Sequence, residues 1–161
     1  MRLVILGCGR VGSMLASLMV REGHEVTIID TNPSAFRRLP SNFQGRTVVG
    51  TGIDAEILRR AGIERADGFV AVTNGDNRNI MATQMARHLF NVPKVIARIY
   101  DPIRAEAYHE LGVETLCSTA LGAGVFQDYL LGRPFRSIDD YMELCEIISQ
   151  SVDQAHDERK A

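Results

Sequence analysis

Residues 1–30, MRLVILGCGRVGSMLASLMVREGHEVTIID, decide the fold of this chain. A short apolar run ends at Leu6 and leads into residues 7–12, GCGRVG, which match the pattern G-x-G-x-x-G. A helical pattern follows, and a second apolar run ends at Ile29, just before Asp30. This order predicts the first β-α-β unit of a nucleotide-binding sheet, with a strand, a glycine turn, a helix, a second strand and an acid.

Each glycine of this pattern has its own physical role. Gly7 permits a tight turn between strand and helix, Gly9 lets the backbone approach a pyrophosphate, and Gly12 lets the helix pack closely on the sheet. The N-terminus of the helix offers N–H groups and a positive dipole end to phosphate oxygens. Asp30 lies 18 residues after Gly12, a spacing that suits a carboxylate binding ribose hydroxyls. An acid there also disfavours a 2′-phosphate, and therefore NADP.

The composition is that of an ordinary globular protein. The 161 residues are 45% hydrophobic and 24% charged, with a net charge of −2, which predicts one domain and no broad basic surface for nucleic acid. No apolar run reaches the roughly 18 residues that span a membrane, and the N-terminus is predicted to be a core strand rather than a signal peptide.

Cys8, Cys117 and Cys145 lack metal-ligand spacing and indicate a reducing cytosol. Cys8 is interpreted as a small buried filler.

Strand and helix patterns alternate along the chain. Val- and Ile-rich runs, typical of parallel strands buried on both faces, predict strands at 2–6, 25–29, 47–49, 68–72, 94–99 and 113–117. The alternation implies a Rossmann-like, doubly wound α/β fold, with a parallel six-stranded sheet of order 3-2-1-4-5-6 and helices on both faces. Ligands of such sheets bind beyond the carboxyl ends of the strands, at the switch between strands one and four.

Helix signals lie between these strands. The longest middle helix is predicted at 77–90 and the last firm one at 119–131. Asn32-Pro33 and Asp101-Pro102 each pair an N-cap with a proline in the first turn. The tail is open to two interpretations, because 137–152 fits an amphipathic helix and 142–148 alone fits a strand. The polar residues 153–161 are expected to fray.

Polar loops follow several strands at the expected ligand edge. Residues 50–52, GTG, permit a tight loop that fits beside an adenine, whereas Asp54 is interpreted as the cap of the next helix. Thr73 and Asn74 follow strand four, across the switch point from the glycine loop, and are the candidates of their loop for contacting the nucleotide.

Two arginines bring positive charge to this edge. Arg10 stands in the first turn of the first helix, where a cation opposes the helix dipole. We expect it to contact a phosphate, on its own nucleotide or across a subunit interface. Arg98 is the one charge within residues 95–99 and needs a partner there, which a salt bridge to Asp76 or an anionic ligand supplies equally well. The candidate nucleotide-binding residues are Gly7, Cys8, Gly9, Arg10, Val11, Gly12, Asp30, Thr31, Gly50, Thr51, Gly52, Thr73, Asn74 and Arg98.

The inventory of catalytic groups is poor. The four histidines lie at the wrong edge of the sheet, late in helices or in the tail, and no Tyr-x-x-x-Lys pair, Ser/His/Asp set or metal-ligand spacing stands out. We therefore expect a protein that holds a nucleotide without acting on it, with no catalytic residue and no metal.

Taken together, the motifs resemble the N-terminal domain of the regulators of potassium conductance, the RCK or KTN domain of TrkA-type and KtrA-type proteins. The matching segments are GCGRVG (7–12), Asp30, the loop 50–54 before ILRRAGIERAD (57–67), VAVTNGDNRNI (70–80) and VIARIYDP (95–102). The resemblance covers residues 1 to about 131, or four fifths of the chain.

The resemblance implies a cytoplasmic regulatory subunit, peripheral at the inner face of the cell membrane. It implies a homodimer, or a larger homo-oligomer such as an octameric ring, beneath an integral membrane subunit that translocates potassium. NAD(H) or ATP/ADP binds each domain of the family and shifts the conformation of the assembly.

The family motif also implies roles for residues of this sequence. It assigns Gly7, Gly9, Arg10 and Gly12 to the phosphates, Asp30 to the ribose, residues 50–52 to the adenine, and Thr73 and Arg98 to the phosphate end. Helix 119–131 corresponds to the crossover helix, which packs on a partner subunit and in which Gly122 and Gly124 allow close approach.

Three departures from the family pattern change these expectations. Many members have Gly-Asp where this chain has Gly50-Thr51, so the base contact is expected to differ. Arg98 and Tyr100 stand where calcium-gated members place acids, so no such calcium site is expected. The residues that follow domain 1–131 are too few to form the C-terminal ligand domain that is usual in the family. We therefore expect a partly helical or disordered tail, 132–161, in a shortened chain or a single-domain member.

Two other functions compete with a nucleotide-sensing regulator. An NAD-dependent oxidoreductase shares the glycine loop, but this chain lacks a substrate domain and a catalytic base at the ligand edge. A methyltransferase-like fold that binds S-adenosylmethionine also uses a glycine loop and an acid after strand two. Against it, the full β-α alternation leaves no room for the antiparallel final hairpin of that fold.

Overall fold

The computed structural model describes residues 1–110 and 113–158. Its six strands are β1 (Arg2–Leu6), β2 (Glu25–Asp30), β3 (Arg46–Val49), β4 (Gly68–Ala71), β5 (Lys94–Ile99) and β6 (Thr115–Cys117). They form one sheet in the order β3-β2-β1-β4-β5-β6, and β1 runs parallel to β2 and β4. The predicted Rossmann-like fold and strand order are confirmed.

Helices connect the strands. The α-helices are α1 (Arg10–Arg21), α2 (Ala55–Arg60), α3 (Asp76–Gln84), α4 (Pro102–Glu110), α5 (Ser118–Leu130) and α6 (Ile138–Glu158). Short 3₁₀ helices cover Pro33–Arg38 and Ile63–Arg65. The predicted helix 77–90 is α-helical only to Gln84. A π-helical turn, Met85–Leu89, follows it directly.

The chain divides into two compact units, residues 1–98 and a second unit that begins at Ile99. Helices α5 and α6 both belong to the second unit and pack on each other. The division of the chain after residue 131 stays a prediction.

Two apolar clusters hold the first unit together, one on each face of the sheet. Along β1 the residues alternate between them, with Val4 and Leu6 in one cluster and Leu3 and Ile5 in the other, as the period of a strand requires. Residues of α2 and α3 complete the first cluster, and residues of α1 and the 3₁₀ helix Pro33–Arg38 complete the second. Both faces of the sheet are therefore covered by apolar packing in the first unit.

The predicted N-caps explain where several helices start. Asn32 accepts a hydrogen bond from the Ser34 amide at 2.9 Å, and Asp101 accepts one from the Ile103 amide at 3.1 Å. Both are the side-chain-to-backbone bonds that satisfy a free N–H group of a first helical turn.

The tail is helical over Ile138–Glu158, so the strand interpretation of 142–148 is wrong. A capping box decides the outcome: the Asp140 amide donates to the Ser137 hydroxyl at 3.2 Å, and the Ser137 amide donates to the Asp140 carboxylate at 3.0 Å. Tyr141 and Cys145 then recur at helical spacing as buried residues. Among the described residues, no helix combines the length and apolarity that a bilayer crossing requires.

Candidate nucleotide-binding site

The glycine loop between β1 and α1 is the centre of the site. Gly7 has a φ of +104°, and a Cβ placed there would lie 3.0 Å from the Thr73 amide nitrogen. A Cβ on Gly12 would overlap the carbonyl oxygen of Gly7. Gly9 faces open space, with no atom within 4 Å of an added Cβ. The two outer glycines therefore close the turn, while Gly9 leaves room beside the backbone.

The N-terminus of α1 follows this open space directly. Gly9 occupies the N-cap and provides no side-chain hydrogen bond, and the exposed Arg10 and Val11 begin the helix. The first-turn N–H groups of a helix have no intrahelical acceptor, and together with the helix dipole they form an anion-binding end. The Arg10 side chain adds a mobile positive charge beside them.

Asp30 connects the glycine loop to the end of β2. Its carboxylate accepts hydrogen bonds from the amides of Cys8, at 2.7 Å, and Asn32, at 2.8 Å. A carboxylate has about four lone-pair sites, so two backbone bonds leave capacity for ribose hydroxyls. The structure thus places this acid against the glycine loop, with Thr31 exposed beside it.

Cys8 contributes its backbone rather than its thiol. The side chain is fully buried and donates to the carbonyl of Ala35 at 3.4 Å. Burial, and then the charge of Asp30, raise the pKa of the Cys8 thiol to about 11. The thiol is therefore neutral at physiological pH, which confirms the interpretation as a buried filler.

The loop after β3 lies next to Asp30. The Gly50 amide donates to the Asp30 carbonyl at 3.0 Å, and an added Cβ on Gly50 or Gly52 would overlap the side chain of Ile57 or Leu6. Asp54 accepts from the amides that open α2, at 2.8 and 3.3 Å, so its predicted role as a helix cap is confirmed. Thr51 is half-buried between the two glycines.

The loop after β4 is organised by Asn79, a residue that the sequence analysis did not single out. Asn79 is fully buried. Its Oδ1 accepts from the Thr73 amide at 2.9 Å and from the Thr73 hydroxyl at 2.7 Å, while its Nδ2 donates to the carbonyls of Thr73 and Arg98 at 3.0 and 2.9 Å. The available signal was an amide side chain on the same predicted helix as the apolar residues Ile80 and Ala82.

Arg98 reaches from β5 to the end of β4. Its guanidinium donates to the carbonyl oxygens of Val72 and Thr73, each at 2.9 Å. Asp76 or an anion was expected as the partner of Arg98. The structure shows that two backbone carbonyls also accept hydrogen bonds from its guanidinium. The arginine is held in place before any ligand arrives, while Asn74 stays exposed beside Thr73.

These contacts join the predicted residues in a continuous path along the carboxyl edge. Arg98 donates to the Thr73 carbonyl, and Gly7 packs against the Thr73 amide so closely that a Cβ would contact it. From the glycine loop, the Cys8 amide donates to the Asp30 carboxylate. The Asp30 carbonyl then accepts from the Gly50 amide. Backbone donors, one carboxylate and two arginines suit a phosphorylated nucleoside. Within residues 1–110 and 113–158, no three His, Cys, Asp or Glu side chains are placed to hold a metal ion.

Comparisons of the sequence identify its relatives. The sequence model of the TrkA-N domain matches residues 3–119. The Trk system potassium uptake protein TrkA of Streptomyces coelicolor is 54% identical over 118 residues, which are 73% of this chain and 53% of that protein. The chain therefore spans about half the length of this curated relative.

Comparisons of the fold identify similar solved structures. The GsuK channel bound to NAD matches 80% of this chain and 23% of its own, with a TM-score of 0.68 and 28% identity. GsuK bound to ADP has a TM-score of 0.67 at 28% identity, with 80% of this chain and 33% of that one covered. The AMP-bound Kef C-terminal domain of Shewanella denitrificans covers 98% of this chain and 97% of its own, with a TM-score of 0.68 at 23% identity, a likeness of fold alone.

Proposed function

The chain belongs to the TrkA-N family, and from that premise we propose that it is a nucleotide-sensing regulatory module of a potassium transport system. The observation that carries the proposal is the open space at Gly9, which is the N-cap of α1 and has no side-chain hydrogen bond. The preceding residue, Cys8, donates its amide to the carboxylate of Asp30. This arrangement accommodates a phosphate group at the helix and a ribose at the acid.

The ligand we propose is an adenine nucleotide, NAD(H) or ATP/ADP. GsuK, which is similar in fold and 28% identical, has been solved with NAD and with ADP. Gly7, Gly9, Arg10 and Gly12 would hold the phosphates, with the Cys8 and Val11 amides beside them. Asp30 and Thr31 would bind the ribose, residues 50–52 would lie along the adenine, and Thr73, Asn74 and Arg98 would close the phosphate end.

The second proposed partner is another copy of this chain. On α5, Phe126, Tyr129 and Leu130 are 70%, 75% and 80% exposed. Apolar side chains that cluster on one exposed helix indicate a protein interface. We place the homodimer contact, and any larger ring built from it, on this crossover helix.

The third proposed partner is an integral membrane subunit that translocates potassium. The relatives named as potassium uptake proteins support this partner. With it we propose a location in the cytoplasm, peripheral to the inner face of the cell membrane. Nucleotide binding would bias the arrangement of paired domains only to the extent that the nucleotide has different affinities for the two arrangements. Such a module needs no catalytic step, in contrast to the alternative of an NAD-dependent oxidoreductase.

Calorimetric titration with NAD, NADH, ADP and ATP in parallel tests the nucleotide proposal. The wild-type chain is compared with Asp30→Ala, which removes the ribose acceptor, and with Asp67→Ala as the matched control. Asp67 also accepts a backbone hydrogen bond, from the Arg2 amide at 2.7 Å, but it lies at the amino end of the sheet. We expect Asp30→Ala to weaken binding about 10- to 100-fold and Asp67→Ala to leave affinity unchanged.

The outcomes separate the hypotheses. A preference for NAD or NADH identifies a redox-reporting sensor, and a preference between ATP and ADP identifies a sensor of energy state. No binding of any of the four would remove the proposed function and leave a dimerising scaffold. Hydride transfer to a small substrate in the presence of NAD would favour the oxidoreductase instead.

A further inference from the structure

Three sulfur atoms converge in the second unit, at the point where α5 begins. The Cys117 amide lies 3.3 Å from the Met142 sulfur, and Cys117 is one of the groups that raise the pKa of the Cys145 thiol, through its charge and its side chain. Met142 and Cys145 are three residues apart on α6 and therefore share one face of that helix. Both cysteines are buried and carry free thiols. The nucleotide site uses none of the three.

We propose that Cys117, Met142 and Cys145 form a binding site for a soft, thiophilic monovalent cation, for which Cu(I) is the natural probe. Two thiolates and a thioether are the ligand types that select Cu(I) over harder divalent cations. This proposal is independent of the nucleotide function.

The position of Cys117 favours a thiolate ligand there. Its sulfur caps α5 by accepting a hydrogen bond from the Ala120 amide at 3.5 Å. Because the N-terminus of a helix stabilises negative charge, a metal-bound thiolate at this cap gains a favourable electrostatic interaction. α5 is 13 residues long, so its dipole is fully developed.

Without a cation the sulfur cluster is chemically quiet. Burial, and then the proximity of Cys117, raise the pKa of the Cys145 thiol to about 12, so this thiol keeps its proton at neutral pH. Each of the two thiols that becomes a ligand must release its proton to water. Cu⁺ and two thiols therefore give a bis-thiolate complex of charge −1 and two protons, with copper remaining +1 and the thioether neutral.

A cavity lies beside two of these three residues. A cavity of about 330 Å³ is lined by Met142 and Cys145 and by several acidic side chains, among them Glu106, Glu114 and Glu143. Carboxylates around a cleft raise the local concentration of cations. In this proposal the carboxylates attract a cation to the cavity, and the sulfurs supply the ligand set.

Anaerobic titration of the full chain with Cu(I), in competition with the chelator bathocuproine disulfonate, tests the site. We expect one Cu(I) per chain, an ultraviolet thiolate-to-copper charge-transfer band, release of two protons and a rise in Tm on binding. Cys145→Ser should lower the affinity by more than about 100-fold, beyond the effect of losing an outer-shell partner. Met142→Leu, which conserves volume, should lower it about tenfold.

Cys8→Ala is the matched control, because Cys8 is also a buried free thiol but donates its hydrogen bond to the carbonyl oxygen of Ala35. Wild-type affinity in both Cys145→Ser and Met142→Leu would overturn the proposal, as would a loss of binding that follows Cys8→Ala. If Cys145→Ser fails to fold, Met142→Leu and the proton count still decide: unchanged affinity or no proton release rejects the site.

Discussion

Asp30 and Asp128 are both hydrogen-bonded aspartates, yet their partners are of different kinds. Asp30 is half-buried at the end of β2 and accepts hydrogen bonds from two backbone amides of adjacent loops. Asp128, 1% exposed in α5, accepts from the guanidinium of Arg136 at 2.9 and 3.1 Å and from the hydroxyl of Tyr141 at 2.9 Å. The charge of Asp128 is neutralised within the chain, whereas that of Asp30 is available to a ligand.

Each of the two regions contains one glycine that is closely packed and one that is not. Gly12 and Gly124 each have a neighbour where a Cβ would stand, the Gly7 carbonyl in one case and the Tyr141 ring in the other. Gly9 and Gly122 face open space. The close approach that the sequence analysis assigned to Gly124 is thus made to α6 of the same chain. An aspartate or a glycine can therefore serve either a ligand site or a folding contact. The two cases are distinguished by whether another residue of the chain already contacts it.

The largest effect is expected from Gly12→Ala. Its methyl group would overlap the backbone of Gly7, which cannot move without opening the turn, so the free energy of unfolding should fall by about 3 kcal/mol or more and nucleotide binding should be lost. Chemical denaturation and calorimetry measure the two quantities. In Gly9→Ala, the paired control, stability should change by less than about 1 kcal/mol while affinity falls. Equal stability losses in the two variants would contradict the distinction.

Asn79→Ala should have the next largest effect. It removes four hydrogen bonds, and it leaves the Thr73 amide and the Arg98 carbonyl without the Asn79 side chain, while the Thr73 carbonyl keeps its bond from Arg98. We expect a loss of about 3 kcal/mol in unfolding free energy. Urea denaturation measures it. Asn74→Ala, in the same loop but exposed, should cost less than about 0.5 kcal/mol. If Asn79→Ala were as mild as Asn74→Ala, the assigned network would be wrong.

Asp128→Asn probes the self-contained carboxylate. Its hydrogen bonds to Arg136 are the main cause that lowers the pKa of Asp128 below 3.8. A lowered folded-state pKa gives stability above the unfolded value that is lost as pH falls through the folded value. At pH 6 the variant should melt at least about 5 °C below wild type, and this gap should shrink as pH falls from 6 towards 3. A constant gap in thermal melts would show that charge is not the cause.

The smallest effects should come from the glycines of α5. Gly124→Ala must displace the Tyr141 ring and should cost about 1–2 kcal/mol. Gly122→Ala meets open space within a helix and should stabilise the chain by about 0.5 kcal/mol. Thermal melts separate the two. Sedimentation then tests the proposed interface, since a changed dimer constant in Gly122→Ala alone would place Gly122 at the contact between copies.

Much of the first unit could be predicted because its signals are local. The apolar runs before Gly7 and Asp30 and the cap at Asp54 each act within a few residues, and the rule for parallel sheets then gives the strand order. The π-helical turn after Gln84 and the capping box at Ser137 could not be predicted from the sequence. Tertiary packing decides how a helical pattern continues or begins.

The sequence by itself determined the α/β alternation, the sheet order and the edge at which Gly7, Asp30 and Thr73 meet. Periodicity, caps and glycine turns are properties of neighbouring residues, so they can be recognised without coordinates. Tertiary structure alone decided that Asn79 holds the loop of Thr73, that Asp128 is paired with Arg136, and that the sulfurs of Cys117, Met142 and Cys145 converge. Their partners come from other elements of the fold, and only the packed chain brings such groups within hydrogen-bonding distance.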